Sequence, residues 1–201
     1  MPKRMHSPGA KEVRLAGGEF GGRRLKGGPG IRPLPARVRS ALFNILGFHL
    51  EGMRILDLFA GTGAVALEAL GRGAASAVLV DKTHSSVAAI RANIQTLGLA
   101  GRAQAVQGDV LVFLNTGRFS GEGFDMVFVG PPYDRDLCLP TLERISPDIL
   151  APADALVVVH ASPREALPDA VGCLARYDLR TYGDCLLHFY RNAECGPRNA
   201  E

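Results

Sequence analysis

From residue 54 onward, short apolar runs alternate with stretches of mixed character. Ile55-Leu56, Val78-Leu79-Val80, Met126-Val127-Phe128-Val129 and Leu156-Val157-Val158-Val159 are almost uninterrupted hydrophobic segments. Runs of that length without polar alternation predict strands covered on both faces, as in a parallel sheet flanked by helices. The pattern places strands over 54–58, 77–81, 103–107, 125–129 and 155–160, and helices over 64–70, 85–97, 110–114 and 137–149. Residues 177–182 and 185–191, joined by Gly183-Asp184, read as a hairpin. The expected architecture is α/β: a mostly parallel, seven-stranded sheet with one antiparallel strand near its edge and helices on both faces.

The first 50 residues follow another pattern. Val13 and Leu15 alternate with polar neighbours, and Gly17, Gly18, Gly21 and Gly22 supply turn signals, so 13–25 reads as a short hairpin. Residues 27–35 read as loop, and a helix begins near Ala36 with Val38, Leu42, Ile45 and Leu46 at helical spacing.

Charge separates the same two regions. Residues 1–40 hold ten Lys/Arg against two acids, a charge of +8, whereas the remainder holds thirteen against eighteen, a charge of −5. A basic arm on an acidic body predicts a polyanionic partner, since affinity for nucleic acid comes largely from neutralised phosphates. With 47% apolar residues the chain suits one globular domain. No apolar run approaches the roughly 20 residues of a membrane span, and the first eight residues lack the apolar centre of a secretory signal. Cys138, Cys173, Cys185 and Cys195 are widely spaced, and the five histidines show no metal-ligand pattern. These features predict a cytoplasmic protein without a metal site or disulfide framework.

Candidate chemistry concentrates at the ends of the predicted strands. Asp57-Leu58-Phe59-Ala60-Gly61-Thr62-Gly63 follows the first strand of the alternating region and opens a helix. That is where open α/β sheets bind ligands. Asp57 precedes the glycines: a carboxylate there can accept from a ligand ammonium and would repel a pyrophosphate. Asp81, followed by Lys82, ends the next strand, placed to accept from ribose hydroxyls. Gly108-Asp109-Val110 follows the third, where Asp109 can accept from an adenine amine or simply cap a helix. The spacing Gly-x-Gly-x-x-Gly of nicotinamide enzymes is absent from this loop. Three strand-end acids around a glycine loop predict a site for S-adenosylmethionine. After the fourth strand comes Gly130-Pro131-Pro132-Tyr133, a stiff loop offering free carbonyls and an aromatic ring for base stacking.

The chain resembles the bacterial small-subunit rRNA guanine-N2 methyltransferases, which share a Rossmann-like class I methyltransferase fold. The resemblance runs over roughly 13–191. Its most specific part is Arg14-Leu15-Ala16-Gly17-Gly18-Glu19-Phe20-Gly21-Gly22-Arg23-Arg24-Leu25, then Ile31-Arg32-Pro33, then 37–46. It continues through 57–64, Leu67-Glu68-Ala69-Leu70 and Arg72-Gly73-Ala74-Ala75. It implies that Asp57, Phe59, Ala60, Gly61, Thr62, Gly63, Asp81, Lys82, Gly108, Asp109 and Val110 hold the cofactor. Gly130, Pro131, Pro132 and Tyr133 would hold a flipped guanine. Arg23, Arg24, Lys26, Arg32 and Arg37 would grip 16S rRNA, in a partly assembled 30S subunit. On this reading 1–12 and 192–201 are polar tails, 13–50 is an RNA-contacting extension and 51–191 is the methyltransferase domain.

The family's reaction motif usually opens with Asp or Asn, where this chain has Gly130. Leu34, Pro35 and Ala36 stand where the family has small hydroxyls and an acid, and His160 replaces an acid at the end of the fifth strand. Two alternatives therefore stay open: a relative that binds cofactor or RNA without efficient turnover, and a small-molecule methyltransferase, which has no need of the basic hairpin.

Overall fold

The computed structural model describes residues 13–28, 34–47, 50–116, 123–133, 135–150 and 155–193. Arg32 and Asp134 lie outside them, as do 1–12 and 194–201; of the expected C-terminal tail, Asn192 instead ends the last strand, paired with Leu174.

The described chain opens with β1 (Val13–Arg14), β2 (Arg24–Leu25) and α1 (Ala36–Leu46). The alternating region follows with β3 (Arg54–Leu58), α2 (Ala64–Gly71), β4 (Ser76–Asp81), α3 (His84–Thr96), β5 (Ala103–Gln107), α4 (Val110–Asn115) and β6 (Met126–Val129). Then come α5 (Cys138–Leu142), β7 (Leu156–Ala161), β8 (Ala170–Val171), β9 (Leu174–Tyr182) and β10 (Cys185–Asn192).

The main sheet has the order β5-β4-β3-β6-β7-β10-β9-β8. The first five are mutually parallel; β10 runs against β7, β9 against β10, and β8 against β9. The expected seven strands and the antiparallel β10 are present, but a two-residue edge strand, β8, makes eight, and it is a second strand opposed to the parallel set. Two residues carry no hydrophobic period, so β8 left no pattern to read.

The predicted helix 137–149 is a correction. It divides into α5 and a 3-10 turn, Pro147–Ile149. Pro147 lacks an amide to continue a helix and holds Ser146 extended, at φ −84° and ψ 163°.

The sheet separates two apolar clusters. One lies under α4 and α5; the other gathers α2, α3, α1 and the N-terminal hairpin. All eight residues of α2 are buried. A helix buried all round needs a cover on its outer side, and that cover includes Val13, Leu15, Phe20 and Leu25 of the hairpin with Val38, Leu42 and Phe43 of α1. The hairpin therefore packs into the same core as the parallel strands.

Burying α2 also buries its one charge. Glu68 is 0% exposed and accepts from Ala16 N–H (3.0 Å), Arg39 Nε (2.9 Å) and Arg72 NH2 (2.9 Å). Arg39, 1% exposed, donates onward to the carbonyl of Arg14. Such a charge is tolerated only with partners on every side. The triad ties hairpin, α1 and α2 together.

Candidate functional site: two loops on adjacent strands

The glycine loop is fixed by neighbouring strand ends. Ala60 N–H donates to Val80 C=O (3.0 Å), Gly61 N–H to Asp81 Oδ2 (2.9 Å) and Gly63 N–H to Ala60 C=O (2.7 Å). Gly63, at φ +77°, caps α2 in a left-handed conformation, and a Cβ there would lie 2.8 Å from Leu79 Cδ2. Phe59 holds φ +63° without being glycine, a costly conformation that concentrates at functional loops.

Asp57 has a use beyond the one expected from sequence. Its Oδ2 accepts from Ala66 N–H (3.2 Å), so it supplies the side-chain cap that Gly63 cannot, and it is 2% exposed. Burial pushes its pKa up to about 7, against the lowering effect of the Ala66 amide, with nearby Asp81 adding to the rise.

Asp81 bridges loop and helix: besides Gly61, its Oδ1 accepts from Thr83 N–H (2.9 Å) and Thr83 Oγ1 (3.1 Å). Asp109 caps α4, accepting from Leu111 N–H (3.0 Å) and Val112 N–H (3.4 Å), and pairs with exposed Lys82 at 3.1 Å. The Lys82 ammonium holds its carboxyl below the usual range, against the opposing effect of burial and with help from the two helix amides. Val110 is buried. Gly108 N–H donates to Asp81 C=O (3.0 Å). A cavity of about 560 Å³ runs along β4 and β5 beside α4 and reaches Gly108 and Asp109. The three acids thus lie at or just beyond the carboxyl ends of β3, β4 and β5, consecutive in the sheet.

The second loop leaves β6, the other neighbour of β3, and Gly130 N–H donates to Leu58 C=O (3.2 Å). Pro131 is buried and Pro132 exposed. Tyr133 Oη lies 2.6 Å from His160 Nε2 at the end of β7 and 3.1 Å from Cys185 Sγ at the start of β10. Burial brings the His160 pKa down to about 4, keeping the ring neutral near pH 7. Burial, then the Cys185 bond, holds the Tyr133 phenol well above its ordinary value. A protonated phenol beside a neutral imidazole donates to Nε2 in the tautomer protonated at Nδ1. A Cβ at Gly130 would lie 2.8 Å from Phe128 Cε1, so the ring of Phe128 occupies the approach a longer residue would need.

Among known proteins, the family model described as "Conserved hypothetical protein 95" matches residues 13–191. The chain belongs to this family. It is 32% identical over 203 residues to ribosomal RNA small subunit methyltransferase D of Escherichia coli K12, covering 100% of each chain. The enzyme of the same name from Haemophilus influenzae is 30% identical over 169 residues, covering 82% of this chain and 87% of that one. A structure from Thermus thermophilus matches with a TM-score of 0.75 and 35% identity, over 88% of this chain and 98% of that one. A methyltransferase solved with S-adenosylhomocysteine shares the fold at a TM-score of 0.65 and 18% identity, over 93% of this chain and 57% of that one.

Within this family member, the basic residues Arg23, Arg24, Lys26 and Arg37 are all exposed. Sequence reasoning missed the side chain that links them to the cofactor loop. Buried Asn93 of α3 accepts from Lys26 N–H (2.8 Å) and donates to the carbonyls of Lys26 (3.0 Å) and Thr62 (3.1 Å). It also missed Glu68 as an anchor and Cys185 as a neighbour of Tyr133. These partners are 67, 52 and 52 residues apart, and only Glu68, a lone charge in an apolar helix pattern, left a signal. Among the described residues no group of three or more His, Cys, Asp or Glu could hold a metal. No described helix is long and apolar enough to cross a membrane.

Proposed function

We propose that this chain transfers the methyl group of S-adenosylmethionine to the N2 amine of a guanine in 16S rRNA, in a partly assembled small subunit. The observation that carries the reading is the adjacency of the two loops. The glycine loop leaves β3 and the Pro-Pro-Tyr loop leaves β6, its hydrogen-bonded neighbour, at the same edge of the sheet. The names of the full-length relatives supply the substrate class.

The strand-end acids suit this cofactor. Asp57, Asp81 and Asp109 are acceptors, matched to an ammonium, ribose hydroxyls and an adenine amine, and unsuited to a pyrophosphate. Asp109 is held by Lys82, which is 75% exposed, and an exposed pair of this kind is readily exchanged for a ligand donor. When bound, the cofactor supplies an electrophilic methyl group on sulfur.

The protein's part is alignment. A guanine amine is a weak nucleophile because its lone pair is delocalised into the ring, so holding it in line with the methyl is where rate is gained. The carbonyls of Gly130 and Pro131 are the acceptors for the amine hydrogens, and Tyr133 gives a wall against which the base stacks. Extracting the base from RNA costs a few kcal/mol, which that stacking and the exposed arginines offset.

A second reading is favoured by one observation: with Phe128 against Gly130, no side-chain acceptor stands at the first position of the loop. On that reading the chain binds cofactor and RNA but turns over poorly. Incubating the protein with labelled donor and undermodified 30S subunits separates the two. Label in 16S rRNA supports the enzyme; donor binding by calorimetry without label supports the binder.

A further inference from the structure

One exposed surface is used by neither loop nor by the N-terminal arginines. β9 is paired on its outer side by β8 only at Leu174 and Ala175. From Tyr177 to Tyr182 no described strand covers its outer edge. Open edges of this kind are normally blunted, yet this one carries two of the four exposed large hydrophobic residues of the described chain, Tyr177 at 47% and Leu179 at 43%.

The pairing of β9 with β10 sets the direction of this surface. Tyr182 sits opposite Cys185, whose thiol is 3.1 Å from Tyr133 Oη, so one end abuts the Pro-Pro-Tyr loop. Arg180 is opposite Leu187, and Asp178 opposite Phe189. The register shifts between Phe189 and Tyr190, which inserts Tyr177 as an extra residue. The Tyr177 ring lies 6.2 Å from that of Phe189, and the guanidinium of Arg191 stands over it at 4.2 Å. Arg180 is 56% exposed with its Nε on Asp178. Cys185, Leu187 and Phe189 belong to the cluster beneath α1 and the hairpin, which puts this strip on the face of the sheet that carries the basic extension.

We propose that Tyr182, Arg180, Tyr177 and Arg191 form a track for the single-stranded RNA flanking the target base, leading away from the Pro-Pro-Tyr loop. Five residues of strand span roughly 17 Å, room for a few nucleotides. Two guanidinium groups suit phosphates and two phenol rings suit bases, the combination that holds single strands without reading sequence. The Arg191–Tyr177 stack presents charge and ring together before RNA arrives. The inference rests on the rRNA reading above.

Fluorescence anisotropy with a labelled single-stranded oligoribonucleotide tests it on the full chain. Arg180→Glu with Arg191→Glu should weaken binding by about ten-fold or more, and the salt dependence should flatten by roughly 0.7 in log–log slope per lost phosphate contact. Tyr177→Ala should weaken binding by ~5-fold or more. Thermal midpoint and S-adenosylmethionine affinity of each variant, both expected unchanged, show that the fold survives. RNA affinity and salt slope equal to the parent's in variants that still bind donor would overturn the track, as would a parent that binds no RNA. Methylation of undermodified 30S subunits separates the two claims: a parent that binds the oligonucleotide through these residues but labels no 16S rRNA keeps the track and sinks the substrate assignment.

Discussion

At the scale of single residues, the site depends on Tyr133 being held by its hydroxyl. If the ring is positioned through His160, Tyr133→Phe and His160→Leu should each lower kcat/KM for 30S subunits by about ten-fold, and the double variant should be little worse than either. His160→Gln, which can still accept from the phenol, should retain most activity. Additive losses in steady-state kinetics would contradict a shared contact. Gly130 makes an opposite prediction for stability. Because a Cβ there meets Phe128 Cε1 at 2.8 Å, Gly130→Ala should cost about 1–3 kcal/mol in urea denaturation, and Gly130→Asp at least as much, relieved by Phe128→Leu. Asp57 predicts a pH effect. Its pKa stands near 7 in the ligand-free protein, and a bound ammonium would lower it. Binding then favours the ionised form, so donor affinity rises between about pH 6 and 8 and calorimetry records proton release. Affinity independent of pH would mean that the carboxylate serves α2 alone.

At the scale of elements, the anchors of the N-terminal extension matter as much as its charges. Glu68 accepts from Ala16, Arg39 and Arg72 at full burial. Glu68→Ala should therefore strand Arg39 without its carboxylate and destabilise the protein by roughly 3–5 kcal/mol in chemical denaturation; a loss below ~1 kcal/mol would mean that water replaces the partner. The strands other than β8, α1 to α4 and the glycine loop were legible in the sequence because period and punctuation are local properties. What could not be read is pairing between distant polar residues: Glu68 sits in an apolar helix with nothing nearby in sequence to say that Arg39 and Ala16 neutralise it. Asn93 is equally silent, since an asparagine on a helix gives no sign that it bridges Lys26 to Thr62. Asp109 was legible as either cap or ligand acceptor, and the structure shows the cap.

At the scale of the whole molecule, the basic extension and the cofactor loop form one body. Val13, Leu15, Phe20 and Leu25 cover α2, and Asn93 ties Lys26 to the glycine loop. Removing the first 30 residues would thus uncover α2 and damage the donor site together with the RNA arm, and cannot separate an rRNA enzyme from a small-molecule one. Charge reversal at exposed Arg23 and Arg37 avoids that confusion and should weaken RNA affinity while leaving the donor affinity intact. The most direct test of the account is transfer of labelled methyl from S-adenosylmethionine to undermodified 30S subunits, with the modified nucleotide identified by mass spectrometry. Stoichiometric label as N2-methylguanine in 16S rRNA is expected; label at another position or none, from protein that binds the donor, would rule out this activity.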